Sequence, residues 1–225
     1  MSSRLPFTHD QFLDVFAAYN QQLWPAALAL WLLTVAALVL LAARRLEPRL
    51  AGALLAVHWA WAGVAYHLGY FAAINPAARL FGALFVLEAL LFAWFGVRRR
   101  DVVVSWGRTS RQVLSVGFCA YAVLYPLLGL AAGLRWPRLP SFGVPCPTTL
   151  LTVGLLMGLE PGRLRGLFVV PLLWALVGGS AAFLLGVAPD LMLLAGAVVL
   201  TLAMVARPGS GAARSARPSG GRAFR

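Results

Sequence analysis

Seven apolar stretches, separated by short polar segments, organise this chain. They cover approximately residues 25–43, 50–74, 79–97, 113–133, 147–159, 167–186 and 190–206. Most reach the roughly 20 residues needed to cross the hydrocarbon core of a bilayer. The fifth has only about 13, which suits either a short crossing or a re-entrant segment. The pattern therefore predicts an all-α fold, a polytopic transmembrane helix bundle of about seven spans, or six if the fifth is re-entrant.

A separate helical pattern precedes the first span. Apolar residues recur at helical spacing at Phe12, Val15, Phe16, Tyr19 and Leu23. Thr8 and Gln11 have the spacing of a capping box, and Phe7 and Phe12 that of a hydrophobic staple. We expect residues 1–24 to form an amphipathic interfacial helix ending at Trp24-Pro25. Residues 25–206 then form the bundle, and 207–225 a disordered tail of arginine, glycine and serine.

The basic residues orient these spans. All nineteen are arginine, and with seven crossings fifteen fall on one side and four on the other. Arginine is enriched in cytoplasmic loops, so the N-terminus is expected outside and the C-terminus in the cytoplasm. If the fifth segment did not cross, the inner side would hold eight arginines and the outer side eleven. The distribution therefore favours seven crossings.

Composition supports the membrane assignment and indicates which class of partner the basic residues contact. The chain is 61% hydrophobic and 12% charged, about half the charged fraction of a typical soluble domain. Its net charge of +12 is dispersed in short loops, which favours membrane lipids over nucleic acid as partners. Two glycine pairs, Gly129 with Gly133 and Gly154 with Gly158, have the spacing of close helix contacts. The oligomeric state is not determined by the sequence.

Three ionisable residues fall inside the apolar stretches: His58, His67 and Glu88. Such residues are functional candidates because their burial is costly. Antiparallel pairing of the second and third spans across Asn75-Pro76 places His67 within one helical turn of Glu88. The pair suits proton handling, half of a cation site, or a hydrogen bond that satisfies both groups. His58 is expected to form an interhelical hydrogen bond.

The segment 135–149 contains four prolines and predicts a rigid loop. Cys146 precedes the fifth span, and Thr148 and Thr149 are placed to cap it. A thiol at a helix N-terminus has a lowered pKa, which suits metal or redox chemistry. A structural turn is the alternative interpretation. One cysteine is not a metal site by itself, and a disulfide with Cys119 would have to bridge different depths.

Several short motifs together resemble an uncharacterised family of bacterial multi-pass membrane proteins that is described only as a domain of unknown function. The matching stretches are Leu5-Pro-Phe-Thr8, Gln11-Phe12, Tyr19-Asn20, Trp24-Pro25, Tyr66-His67, Ile74-Asn-Pro-Ala77, Tyr125-Pro126, Phe142-Gly-Val-Pro-Cys-Pro-Thr-Thr149 and Pro171-Leu-Leu-Trp174. The Pro-Cys-Pro-Thr-Thr run is the most specific of them. Members often have a histidine near the position of Leu134, and its absence here weakens a metal site. The resemblance implies a bacterial inner-membrane location and no known activity.

These observations lead to one functional hypothesis and two alternatives. We expect a protein that binds or transports a small solute or ion from the extracytoplasmic face, without a cofactor. Its candidate site residues are Tyr66, His67, Asn75, Glu88, Cys146 and Thr148, of which His67 and Cys146 are also the candidate metal ligands. A membrane-embedded thiol, redox or metal-handling enzyme using Cys146 is one alternative, and a structural or assembly subunit is the other. No familiar catalytic motif is present, so the sequence favours a protein that is not an enzyme.

Overall fold

Helices make up nearly all of the structure. The computed structural model describes residues 6–47, 49–98, 108–158 and 165–205. Within these ranges there is no strand, and the α-helices are α1 (His9–Ala42), α2 (Arg49–Trp61), α3 (Ala78–Arg98), α4 (Ser110–Ala131), α5 (Pro145–Gly158), α6 (Val169–Leu185) and α7 (Met192–Val205). Each predicted span overlaps one of them, so the all-α fold is confirmed. The predicted disordered tail, 207–225, lies outside the described residues.

Shorter helical segments connect some of these elements. A π-helix, Ala62–Leu68, continues α2 and is followed by a 3₁₀ helix, Phe71–Ala73. Two further 3₁₀ helices, Arg165–Phe168 and Ala188–Leu191, lead directly into α6 and α7. The second predicted span is therefore not one regular α-helix.

The start of α1 has the capping box and the hydrophobic staple that its sequence predicts. Thr8 and Gln11 form both hydrogen bonds of the capping box. The rings of Phe7 and Phe12 stack with their centroids 5.9 Å apart, as the hydrophobic staple requires. The predicted helix end at Trp24-Pro25 is wrong, because α1 continues through Pro25 to Ala42. A proline removes one backbone donor, and a long apolar helix with other packing partners tolerates that loss.

A buried hydrogen bond joins α1 to α2. The Thr34 hydroxyl donates to the carbonyl of Leu30 and lies 2.7 Å from Nε2 of His58. Since a hydroxyl has a single proton, Nε2 of His58 must be the donor to Thr34. The predicted interhelical hydrogen bond of His58 is thus confirmed.

The short fifth helix is the centre of the bundle. All fourteen residues of α5 are buried, and it packs against α2, α4, α6 and α7. Trp59 of α2 donates to Thr152 at 2.8 Å, and Ser115 of α4 donates to the carbonyl of Gly154 at 2.7 Å. At the other end of α5, Arg111 donates to the carbonyls of Leu156 and Met157. A cation at that position complements the free carbonyls of the helix C-terminus.

The proline-rich loop between α4 and α5 is held by residues of α1. Asn20 Nδ2 donates to the carbonyls of Pro137 and Leu139, both at 2.7 Å. Arg138 forms ion pairs with Asp14 and Asp10. The hydrogen bond to Asp14 raises the pKa of Arg138, and the charges of the two aspartates raise it further. These contacts connect the loop to α1 at several points.

The exterior of the helices is apolar. Large side chains such as Leu127, Phe183 and Leu202 are exposed, Phe183 by 75%. By length and composition, four helical stretches are suited to crossing a membrane: His9–Ala42, Ser110–Ala131, Gly166–Leu185 and Ala188–Val205. Such extensive apolar exposure is unusual on soluble monomers and marks an interaction with a membrane or another apolar partner.

Candidate functional site: an aromatic cavity with a buried aspartate

A cavity of about 440 Å³ lies where several helix ends meet. The start of α1, the π-helix, the first turn of α5, the second half of α6 and the 3₁₀ helix before α7 all contribute to its wall. His9 Nδ1 at the start of α1 donates to the carbonyl of Leu185 at the end of α6, at 2.7 Å. This bond holds the two helix ends together beside the cavity. A volume of this size is in the range of small-molecule sites in proteins.

Aromatic rings form much of the cavity wall. They are Phe7, Phe12, Phe16, Tyr66, Phe71, Phe81 and Trp174. The helical spacing of Phe12 and Phe16 places their rings 4.9 Å apart on one face of α1. Tyr66 stacks on Phe16 and on Phe71, with both centroid separations at 5.8 Å. The rings of α1, of the π-helix and of the 3₁₀ helix that follows it are therefore connected in this wall.

A carboxyl group faces this aromatic surrounding. Asp190 lines the cavity and is 2% exposed, and its Oδ1 has no hydrogen-bond partner within the described part of the chain. Tyr121 of α4 donates to the carbonyl of the preceding Pro189 at 2.9 Å and so positions this 3₁₀ helix. The indole nitrogen of Trp174 is also buried and lies beside the thiol of Cys146, a weak acceptor. Buried polar groups are nearly always paired, so an unpartnered carboxyl oxygen in this cavity requires an explanation.

The π-helix brings Tyr66 to the cavity and places His67 behind it. Its wider turn is a feature that occurs frequently at functional sites. A Cβ on Gly63 would lie 3.0 Å from the carbonyl oxygen of Gly82, so the π-helix and α3 approach closely here. His67 contacts the rings of Phe85 and Trp174, with centroid separations of 4.7 and 4.9 Å. His67 therefore supports the aromatic wall from behind.

The predicted pairing of His67 with Glu88 is wrong at the level of a hydrogen bond. Neither ring nitrogen of His67 and neither carboxyl oxygen of Glu88 has a partner in the described ranges. His67 is level with Phe81 and Phe85, one helical turn before Glu88 on α3. The predicted depth therefore agrees with the position of Phe85, but the ring of His67 packs against aromatic side chains and not against the carboxyl group of Glu88.

The other predicted residues divide into two groups. Tyr66, Asn75 and Cys146 line the cavity, and Asn75 also accepts a hydrogen bond from the backbone N–H of Ala77 at 3.1 Å. Thr148 is buried in α5 and is not part of the cavity lining, and its hydroxyl has no partner among the described residues. Glu88 is buried on α3 and also lies outside the lining.

Apart from Tyr66, Asn75 and Cys146, the residues that line the cavity were not among the predicted site residues, and these include Asp190 and Trp174. The signal for Asp190 was available, since an acidic residue at the edge of an apolar segment is a functional candidate. Trp174 lies in the Pro171-Leu-Leu-Trp174 stretch that resembles the family, but no local pattern marks it as a site residue.

Cys146 occupies the first turn of α5, as predicted, but it is enclosed. It is 7% exposed and shares the cavity wall with Trp174. Apolar surroundings oppose the thiolate, in contrast to the activating effect of a helix N-terminus. The described part of the chain contains no group of three or more histidine, cysteine, aspartate or glutamate residues arranged to hold a metal ion. The cavity is thus better suited to a small molecule than to the metal chemistry considered for Cys146.

Comparison with known proteins gives a family but no activity. A family model described as "Family of unknown function (DUF6064)" matches residues 9–211. No curated protein and no solved structure matches the chain.

Proposed function

The chain belongs to DUF6064, a family of unknown function, and we propose that it is a multi-pass membrane protein that binds a small solute or ion in the aromatic cavity. The cavity opens to the extracytoplasmic side in this proposal, and the protein resides in a bacterial inner membrane. The observation that carries the proposal is a cavity of about 440 Å³ containing a buried aspartate without a partner for Oδ1 among the described residues. A bound ligand would supply that partner.

The apolar exterior supports membrane insertion through seven crossings. Helices α1, α4, α6 and α7 belong to stretches long and apolar enough to cross. Helix α5 has only fourteen residues, and all of them are buried among other helices. Because α5 does not contact lipid, it can be shorter than the hydrocarbon core of the bilayer. The arginine distribution favours the same seven crossings.

The expected orientation places the cavity on the outer side. Alternation of seven crossings from an outer N-terminus puts the starts of α1, α3, α5 and α7 outside, together with the ends of α2, α4 and α6. The cavity is built from those ends. Arg111, which contacts the C-terminal carbonyls of α5, then lies on the arginine-rich cytoplasmic side.

Thiol labelling in intact cells tests both the orientation and the access. Cys146 lines the cavity, whereas Cys119 is buried between α4 and α5, where its Sγ lies 2.6 Å from the position of a Cβ on Gly154. We expect small membrane-impermeant methanethiosulfonate reagents to modify Cys146 from outside and to leave Cys119 unmodified. Mass spectrometry after labelling distinguishes the two cysteines. Labelling in denaturant, where both thiols are accessible, provides the reference for full modification.

A matched pair of variants tests whether the reagent arrives through the cavity. Ala181 lines it, and a phenylalanine there would fill part of the volume. Ala195 is exposed on α7. Ala181→Phe should slow labelling of Cys146 by about tenfold or more, and Ala195→Phe should leave it unchanged. Labelling of Cys146 only after the membrane is permeabilised would overturn the proposal.

A further inference from the structure

We propose that the ligand of this cavity is a small organic cation, with an ammonium or quaternary ammonium group bound beside Asp190 and against the aromatic wall. This inference rests on the proposed function and adds the chemical class of the ligand. Three observations support this ligand class: the acidic lining of the cavity, its aromatic walls, and the poorer fit of anions, neutral solutes and metal ions to the same residues.

The cavity lining contains an acidic residue and no basic residue among the described residues. Of the residues that line it in the described part of the chain, Asp190 alone is an acidic or basic residue. A buried carboxylate is strongly destabilising unless it takes up a proton or an opposite charge accompanies it. No arginine is part of this lining, so the opposite charge is expected from the ligand.

The walls are suited to a cation without a hydration shell. Aromatic faces attract cations through their quadrupole, and several rings around one carboxylate are the arrangement that proteins use for quaternary ammonium groups. Tyr66 and Trp174 contribute the larger electron-rich rings. The Trp174 indole N–H lies beside the thiol of Cys146, a weak acceptor, so an oxygen acceptor on the same ligand would be a stronger partner for it.

Other ligand classes satisfy these groups less well. An anion would lie beside the Asp190 carboxylate and the negative faces of the rings. A neutral apolar solute would leave Asp190 Oδ1 without a partner among the described residues. A divalent metal ion needs several ligands, and the described residues bring together no group of three histidine, cysteine, aspartate or glutamate side chains.

The test compares two probes that differ only in charge. Choline carries a trimethylammonium group, and 3,3-dimethylbutan-1-ol is its uncharged counterpart of nearly the same shape. Binding of each to the purified full-length protein in lipid nanodiscs is measured by calorimetry. We expect choline to bind at least about tenfold more tightly than the alcohol, since a desolvated cation–π contact alone approaches that factor.

Variants assign the preference to Asp190. Asp190→Asn should lower the preference for choline by about fivefold or more, to the part that the aromatic rings supply, and leave binding of the alcohol within about twofold. Asp14→Asn is the matched control, because Asp14 is an exposed aspartate that pairs with Arg138 outside the cavity. It should leave the preference intact.

A second measurement needs no variant and remains valid if Asp190→Asn fails to fold. A cationic methanethiosulfonate should modify Cys146 about tenfold faster than an anionic one of similar size, and millimolar choline should slow both reactions. Equal rates, or equal affinity for choline and the alcohol, would overturn the cation assignment and leave the binding function standing. Cys146 that is inaccessible from outside to both reagents would instead overturn the proposed function.

Discussion

Asn20 shows how a single side chain holds a distant segment in place. It is fully buried, and its amide nitrogen donates to two carbonyls of the loop, more than a hundred residues away. The neighbouring Tyr19 hydroxyl donates to the carbonyl of Phe142 and accepts from Trp61. Gly143, in the same loop, lies at φ +84°, and a Cβ there would be 2.8 Å from Trp61 Nε1. The close approach of the loop to Trp61 therefore requires glycine at this position.

Asn20→Asp tests the anchoring of the loop. The substitution keeps the shape but turns a carboxylate oxygen toward two carbonyl oxygens. We expect the free energy of unfolding to fall by about 2–4 kcal/mol, because buried acceptors lose their donor and a charge is buried. Equilibrium unfolding in detergent micelles measures the change.

Gln22→Glu is the control for this prediction. Gln22 makes the same amide-to-acid change at an exposed position, and its Oε1 accepts a hydrogen bond from Tyr70 that a carboxylate can also accept. Its stability should change by less than about 0.5 kcal/mol. Similar losses in both variants would mean that the added charge, and not the buried anchor, is responsible.

At the scale of helices, two glycine motifs that look alike in the sequence have different roles. Gly154 faces Cys119 and Ser115 of α4 so closely that a Cβ would lie 2.6 Å from Cys119 Sγ and 2.8 Å from its backbone nitrogen. Around Gly129 the nearest atoms to a Cβ are all at 3.9 Å. Only the first glycine is therefore required by helix packing.

Substitution by alanine separates the two motifs. Gly154→Ala should lower the free energy of unfolding by about 1–3 kcal/mol, because α4 and α5 must move apart. Gly129→Ala should be neutral or raise it by up to about 1 kcal/mol, since alanine favours a helix and meets no obstacle. Unfolding of both variants under the same detergent conditions gives the comparison. A neutral Gly154→Ala would show that the α4–α5 contact is looser than the structure indicates, and equal destabilisation by both would contradict the difference between the two glycines.

At the scale of the whole molecule, the central position of α5 decides the topology. If α5 crosses the membrane, the end of α6 lies outside and the end of α7 lies in the cytoplasm. If α5 does not cross, both assignments reverse. The buried environment of α5 and its contacts with four other helices favour a crossing inside the bundle.

Fusions to alkaline phosphatase test this topology, because the enzyme is active only outside the cytoplasm. Fusions after Gly133 and Gly186 should be active, and fusions after Arg45 and Val205 should be inactive. Colony assays normalised to expression level measure the activity. Inactivity after Gly186 together with activity after Val205 would exclude the crossing of α5.

By itself, the sequence determined the helices, the cap of α1 and the hydrogen bond of His58 between helices. Apolar periodicity and capping act over three or four residues, so they can be recognised locally. The sequence also predicted Tyr66, Asn75 and Cys146 as candidates. In a bundle of antiparallel helices every second connection lies at the same end, so residues near those connections come together.

Only the tertiary structure decided which of these residues share a cavity. His67 meets the rings of Phe85 and Trp174 and not the carboxyl group of Glu88. Asp190 reaches the same cavity from far along the chain. Helix rotation and register depend on packing between distant segments, and no local pattern encodes them.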